Sequence, residues 1–77
     1  MKRKIINICA QVFEVPVESI DGKTSPNNLE QWDSINHINL IMALEENLGI
    51  LFPPEKVLDI DSVDSLINII EEMKAGN

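Results

Sequence analysis

The sequence predicts an all-α fold, a small four-helix bundle with three long helices and one short third helix. Three observations lead there. Apolar residues recur at helical spacing in three stretches of the chain. Strand-type alternation is weak throughout. The 77 residues are 44% apolar, enough for one hydrophobic core, so residues 1–77 are expected to form a single domain.

The first helix is expected from Lys2 to Glu14, with Ile5, Ile8, Val12 and Val15 turned inward and Pro16 ending it. A long connection follows, carrying the turn signals Asp21-Gly22-Lys23 and Ser25-Pro26-Asn27-Asn28. Its sizeable apolar anchors are Val17, Ile20, Leu29 and Trp32. The second helix begins near Asp33-Ser34, with Asp33 a good N-cap type, and stops at Leu48 before Gly49. Pro53-Pro54 leaves room for a short third helix at Glu55–Leu58, with Pro54 suited to its first position. The fourth helix is capped by Asp61 or Ser62. Val63, Leu66, Ile67, Ile70 and Met73 form its apolar stripe, and Lys74 and Gly76 suit its end.

Charge narrows the function classes. Six Lys/Arg against thirteen Asp/Glu leave a net charge of −7. Such a surface opposes nucleic acid and anionic membranes, whose phosphates demand basic residues, and suits a protein partner with a basic patch. Half of the cations sit in Lys2-Arg3-Lys4. From Asn28 to Glu72, ten acids face the single base Lys56, a balance of −9. One cysteine, Cys9, excludes an internal disulfide, and with one histidine, His37, is too few for a typical His/Cys zinc site. The apolar run after Met1-Lys2-Arg3-Lys4 breaks at Asn7, too short for a secretion signal. No stretch reaches the ~20 apolar residues of a membrane span. A cytoplasmic monomer without membrane insertion is expected.

The second helix carries two apolar stripes. With Ser34 at zero and about 100° per residue, Leu40, Ile41, Leu44 and Leu48 fall between about 240° and 340°, with His37 in the same arc. Ile35, Ile38 and Met42 cluster between about 40° and 100°. Ser34 and Glu45 border this second stripe on one side, Asn39 and Glu46 on the other. One core cannot take both. Either the bundle wraps far enough to cover the second stripe, under the third helix for instance, or the stripe docks a partner.

Ser34 is the candidate for chemistry. Asp33, Ser34 and His37 suggest a hydrolase, but the wheel turns His37 inward and Ser34 outward, and no Gly-x-Ser-x-Gly elbow is present. Asp59, Asp61 and Asp64 suggest a calcium loop, but position six is Asp64 and position twelve is Ile70, where Gly and Glu are required. Two readings of Ser34 stand. One is a first-turn or N-cap serine with a purely local role. The other is an attachment point for a phosphodiester, whose charge the free N–H groups and the helix dipole favour.

The run Asp33-Ser34-Ile35, followed by Leu40-Ile41-Met42-Ala43-Leu44-Glu45-Glu46 and, after two prolines, Val57-Leu58-Asp59-Ile60, resembles the acyl carrier proteins over nearly the whole chain. The resemblance implies that Ser34 receives 4′-phosphopantetheine from coenzyme A through a phosphopantetheinyl transferase. The thiol of that arm would hold acyl groups as thioesters for acyl-loading and acyl-using enzymes with basic docking patches. It implies a non-catalytic carrier with no metal of its own, although Asp33 could help the transferase position its divalent metal. Docking falls to Asp33, Ile35, Ile38, Asn39, Met42, Glu45 and Glu46, with Val57 and Ile60 near the arm. Trp32, Asn36, His37 and Asn39 depart from the housekeeping fatty-acid pattern and suggest a dedicated carrier for a fatty acid, polyketide or specialised acyl-transfer pathway. The alternatives are an aminoacyl or peptidyl carrier, whose Gly-Gly-x-Ser signature is absent, and a helical adaptor without a prosthetic group.

Overall fold

The computed structural model describes residues 2–75, with a radius of gyration of 11.3 Å. Among the described residues, all regular structure is helical. Four α-helices, α1 (Lys2–Phe13), α2 (Ser34–Leu48), α3 (Pro54–Asp59) and α4 (Val63–Ala75), are joined by a single 3₁₀ turn at Val17–Ser19 and by loops. The short third helix is one residue longer at each end than the prolines and spacing suggested. Pro54 sits at its start, where the missing N–H is harmless.

Among the described residues, seventeen apolar side chains make one core. Ile5, Ile8, Cys9, Ala10 and Phe13 come from α1, Leu40, Ile41 and Leu44 from α2, and Val63, Leu66, Ile67, Ile69 and Ile70 from α4. The buried face of α1 differs in part from the expected one. Val12 is half-buried, and Val15 lies beyond the helix end, so Cys9, Ala10 and Phe13 take the inner positions. Leu48 and Met73 are also half-buried rather than central. Gly76, the expected end of the fourth helix, lies outside the described residues.

Both long helices α1 and α2 end in the same way. After α1, Glu14 turns left-handed (φ 56°), and the N–H groups of Val15 and Glu14 donate to the carbonyls of Ala10 and Gln11 at 3.1 and 3.3 Å. After α2, Gly49 takes φ 66°, and the N–H groups of Gly49 and Ile50 both donate to the Glu45 carbonyl, at 3.0 and 3.3 Å. These reverse turns satisfy carbonyls that the helix leaves unpaired. Glycine fits that conformation at no steric cost, whereas Glu14 bears a Cβ penalty.

The connection between α1 and α2 is held by its own side chains. The Asp21 carboxylate accepts from Lys23 N at 2.9 Å, and the buried Thr24 hydroxyl accepts from Asp21 N at 2.9 Å. Asn28 accepts from Ser25 N and donates to the Lys23 carbonyl. The carbonyls of Thr24 and Gly22 then accept from the N–H groups of Val63 and Asp64, both at 2.9 Å. The loop therefore satisfies two donors in the first turn of α4. Ser62 completes that cap, its hydroxyl accepting from Ser65 N while Ser65 Oγ accepts from Ser62 N. Of the expected anchors, Ile20 and Trp32 are buried and Leu29 is half-buried, but Val17 is 41% exposed.

The two left-handed positions give a matched pair of variants. Nothing stands within 4 Å of a Cβ placed at Gly49, so Gly49→Ala isolates backbone strain and should lower the unfolding free energy by about 1 kcal/mol. Glu14→Gly should raise it by up to about 1 kcal/mol, less the entropy of the more flexible unfolded chain. Urea denaturation with an unchanged m-value measures both.

Candidate functional site

Ser34 is the first residue of α2 and is exposed. Its place is set by the residues on either side. Asp33, in extended backbone, accepts from Asn36 N through its side chain at 2.8 Å, and its carbonyl accepts from His37 N at 2.8 Å. Asn36 Nδ2 donates back to the Gln31 carbonyl at 2.8 Å. Trp32, 2% exposed, drives its ring into the core 5.1 Å from Phe13. The serine is thus fixed between a buried indole and a capped helical turn. The Asp33 cap is worth about 1 kcal/mol to the helix start.

Asp33 and Ser34 border a groove of about 570 Å³, lined further by Pro26, Trp32, His37, Ile38, Val57 and Leu58. The indole Nε1–H of Trp32 donates to His37 Nδ1 at 2.9 Å. His37 Nε2 lies 3.0 Å from the Val57 carbonyl of α3. His37 is therefore a half-buried structural residue with both ring nitrogens engaged, on the inward side that the wheel predicts. It has no free lone pair to take a proton from Ser34, which removes the hydrolase arrangement.

The second apolar stripe is uncovered. Ile35, Ile38 and Met42 are 74%, 52% and 60% exposed. The alternative in which α3 covers them fails, because α3 lies on the groove side and buries no residue of its own. Asn39 and Glu46 are exposed on the rim, and Asn39 donates to Asn36 Oδ1 at 3.1 Å. Glu45 differs from expectation. It is half-buried, and its carboxylate accepts from Phe52 N at 2.9 Å, which turns it toward the α2–α3 loop. Ile60 is a correction. Expected near the arm at the docking surface, it is 5% exposed and belongs to the core, because the chain turns inward where α3 ends. Val57 is half-buried and lines the groove as expected.

Sequence reasoning missed Leu58, 86% exposed on the groove edge, and Pro26 opposite. A leucine in a six-residue helix offers no periodicity from which to read its direction. The Trp32–His37 pairing had a weak signal, two unusual residues five positions apart across a helix start.

A family profile described as the phosphopantetheine attachment site matches residues 3–70. The chain belongs to the acyl carrier protein family. It is similar to acyl carrier protein 3 of Ralstonia nicotianae, 29% identical over 73 residues, covering 95% of this chain and 84% of that one. The acyl carrier protein of Picosynechococcus sp. is 30% identical over 74 residues, 96% of this chain and 91% of its own. The solution structure of the holo acyl carrier protein from Geobacter metallireducens superposes with a TM-score of 0.85 at 28% identity, over 96% of this chain and 85% of that one. Acyl carrier proteins are non-catalytic and bear a 4′-phosphopantetheine prosthetic group. The carrier's geometry fits that group. An exposed hydroxyl heads α2, the first-turn N–H groups not claimed by Asp33 are available to a phosphate, and an open groove adjoins them.

The lone cysteine stays apart from this site. Cys9 is fully buried in α1, and burial pushes its thiol from 9.0 up to about 12. Folding therefore favours the protonated thiol, so its contribution to stability is intact below pH 9 and declines above it as the unfolded thiol ionises. A native thiol titration at pH 8 should find no reactive thiol in the apo carrier and one, on the arm, in the holo carrier. Denaturation should add one to each. Rapid labelling of Cys9 in the native apo protein would contradict this burial.

Proposed function

We propose that Ser34 carries the 4′-phosphopantetheine arm, and that the carrier presents acyl groups to partner enzymes through the exposed face beside it. The observation that supports this most is the position of Ser34, in solvent at the head of α2, at the edge of both the groove and the Ile35–Ile38–Met42 stripe. The arm, when attached, supplies a terminal thiol that bears the acyl group as a thioester.

The protein's own residues bind and orient. Trp32 and the Asp33 cap hold the helix start still, so that a transferase meets the serine at a fixed angle. The first-turn N–H groups and the dipole of α2 favour the negative phosphodiester. Asp33 leaves its second oxygen for the divalent metal of the transferase. Ile35, Ile38 and Met42 provide the apolar centre of a docking site, and Asp33, Glu46 and Asn39 its polar rim. Glu45 is tied to Phe52 N and contributes charge from the edge. The net charge of −7 steers partners with basic patches. Asn36 and Asn39 replace acids with neutral side chains, Asn36 donating to the Gln31 carbonyl before the helix and Asn39 to Asn36 Oδ1, which thins the charge just after the serine and suits a dedicated partner set. In this reading residues 1–77 are one domain, acting as a cytoplasmic monomer in a fatty acid, polyketide or other acyl-transfer pathway.

Incubation with a promiscuous phosphopantetheinyl transferase and coenzyme A should add the mass of one phosphopantetheine to the wild type and none to Ser34→Ala. No gain on the wild type overturns the assignment. If instead Ser34→Ala complements a deletion as well as the wild type does, the chain is an adaptor that needs no arm.

Docking should also depend on salt, since exposed charges are screened beyond about 8–10 Å at physiological ionic strength. Association with a loading enzyme should slow as salt rises, more for the wild type than for Glu46→Gln. Salt-independent association removes the acidic rim as the steering element.

A further inference from the structure

The groove beside Ser34 ends on a hydrogen-bonded chain that crosses from the loop through α2 to α3. Tryptophan N–H is a donor only, so the 2.9 Å bond from Trp32 Nε1 makes His37 Nδ1 the lone-pair nitrogen. The proton of the neutral ring is then on Nε2, and it donates to the Val57 carbonyl at 3.0 Å. The direction of the whole chain is thereby determined, Trp32 to His37 to Val57. Val57 lies in the last turn of a six-residue helix, where carbonyls lack helical partners, and His37 satisfies one of them.

Helix α3 is anchored by the buried Phe52 and Ile60 beyond its two ends and by Val57, half-buried against the core. It buries no side chain of its own. Its one ion pair among the described residues, Lys56 with Glu72 at 3.8 Å, is solvent-exposed and weak. The His37–Val57 bond adds to these anchors a direct hydrogen bond from α2 to α3. Behind it, Trp32 fills the space with its ring against Phe13 and His37, at centroid distances of 5.1 and 6.1 Å. An alkyl chain passing between α2 and α3 toward the core would have to break both bonds and strand the buried indole N–H, which water could not then reach.

Resting on the Ser34 assignment, we infer that Trp32, His37 and the Val57 carbonyl form a latch that closes the α2–α3 seam, so that this carrier keeps its acyl group in the open groove and out of the core. The groove walls Ile38, Val57 and Leu58 offer an apolar rest for the acyl chain, and both nitrogens of His37 are already engaged. Trp32 and His37 act here as positioning residues. They direct the cargo by holding α3.

The test loads butyryl and decanoyl arms from the corresponding acyl-coenzyme A by a transferase, with loading verified by mass, and follows the methyl resonances of Leu40, Leu44 and Leu66. In the wild type both cargoes should leave these core signals where the unloaded holo protein has them. In His37→Ala the decanoyl arm, and not the butyryl arm, should shift them and raise the melting temperature. Trp32→Phe, which deletes the indole N–H and keeps a ring in the core, should behave in the same way and serves if His37→Ala does not fold. Core shifts with decanoyl in the wild type overturn the latch, and so does an absence of shifts in both variants. Failure of the Ser34 assignment shows separately, as no mass gain. The latch is then read in the unloaded protein, where the Trp32 indole proton should exchange with water at least tenfold more slowly than in His37→Ala. Equal exchange overturns it.

Discussion

Helix α2 has to serve the core and the solvent at once, and the rest of the molecule is arranged around that demand. Leu40, Ile41 and Leu44 are buried in the core, where α2 packs on α1, while Ile35, Ile38 and Met42 remain in water. A bundle of this size gains its stability from apolar burial. Leaving three large side chains exposed forgoes part of that gain, and the core is completed by five buried residues each from α1 and α4 and by Ile20, Trp32, Phe52 and Ile60 from the connections. The net charge of −7 opposes self-association through the exposed stripe.

The long connection before α2 is where position is made. It is irregular in backbone but dense in hydrogen bonds, and it caps α4 with the carbonyls of Gly22 and Thr24 while it feeds Trp32 into the core. Ser34 follows two residues after that indole. Its hydroxyl is exposed, yet its backbone is fixed from both sides. In the proposed role of Ser34, a swinging arm needs a rigid root, and burying the residue two before it achieves this without enclosing the serine. On the far side of the groove α3 is short, held between the buried Phe52 and Ile60, and one imidazole links its Val57 carbonyl to α2.

The chemistry divides in a similar way. A carrier has no need of perturbed acids or bases, and Cys9, whose thiol is pushed up mainly by burial, lies in the core away from Ser34. The thiol that matters to a phosphopantetheine carrier belongs to the arm. An inert cysteine in the protein keeps that thiol free of a competitor.

Periodicity and punctuation were enough, on sequence alone, to determine the four helices, the two faces of α2 and the candidate serine. These are local properties. Ile35, Ile38 and Met42 lie on one face of any helix they form, Gly49 and Pro54 mark boundaries by their own backbone limits, and Asp33 caps its own turn. Only the tertiary structure decided that α3 leaves the second stripe bare, that Ile60 turns inward while Leu58 stays out, and that Glu45 answers Phe52. The same holds for the bonds that join Trp32, His37 and Val57, residues 25 positions apart at their extremes. Each of these depends on where a short, aperiodic segment lies against a distant helix, and no spacing within that segment encodes the direction from which its neighbour approaches.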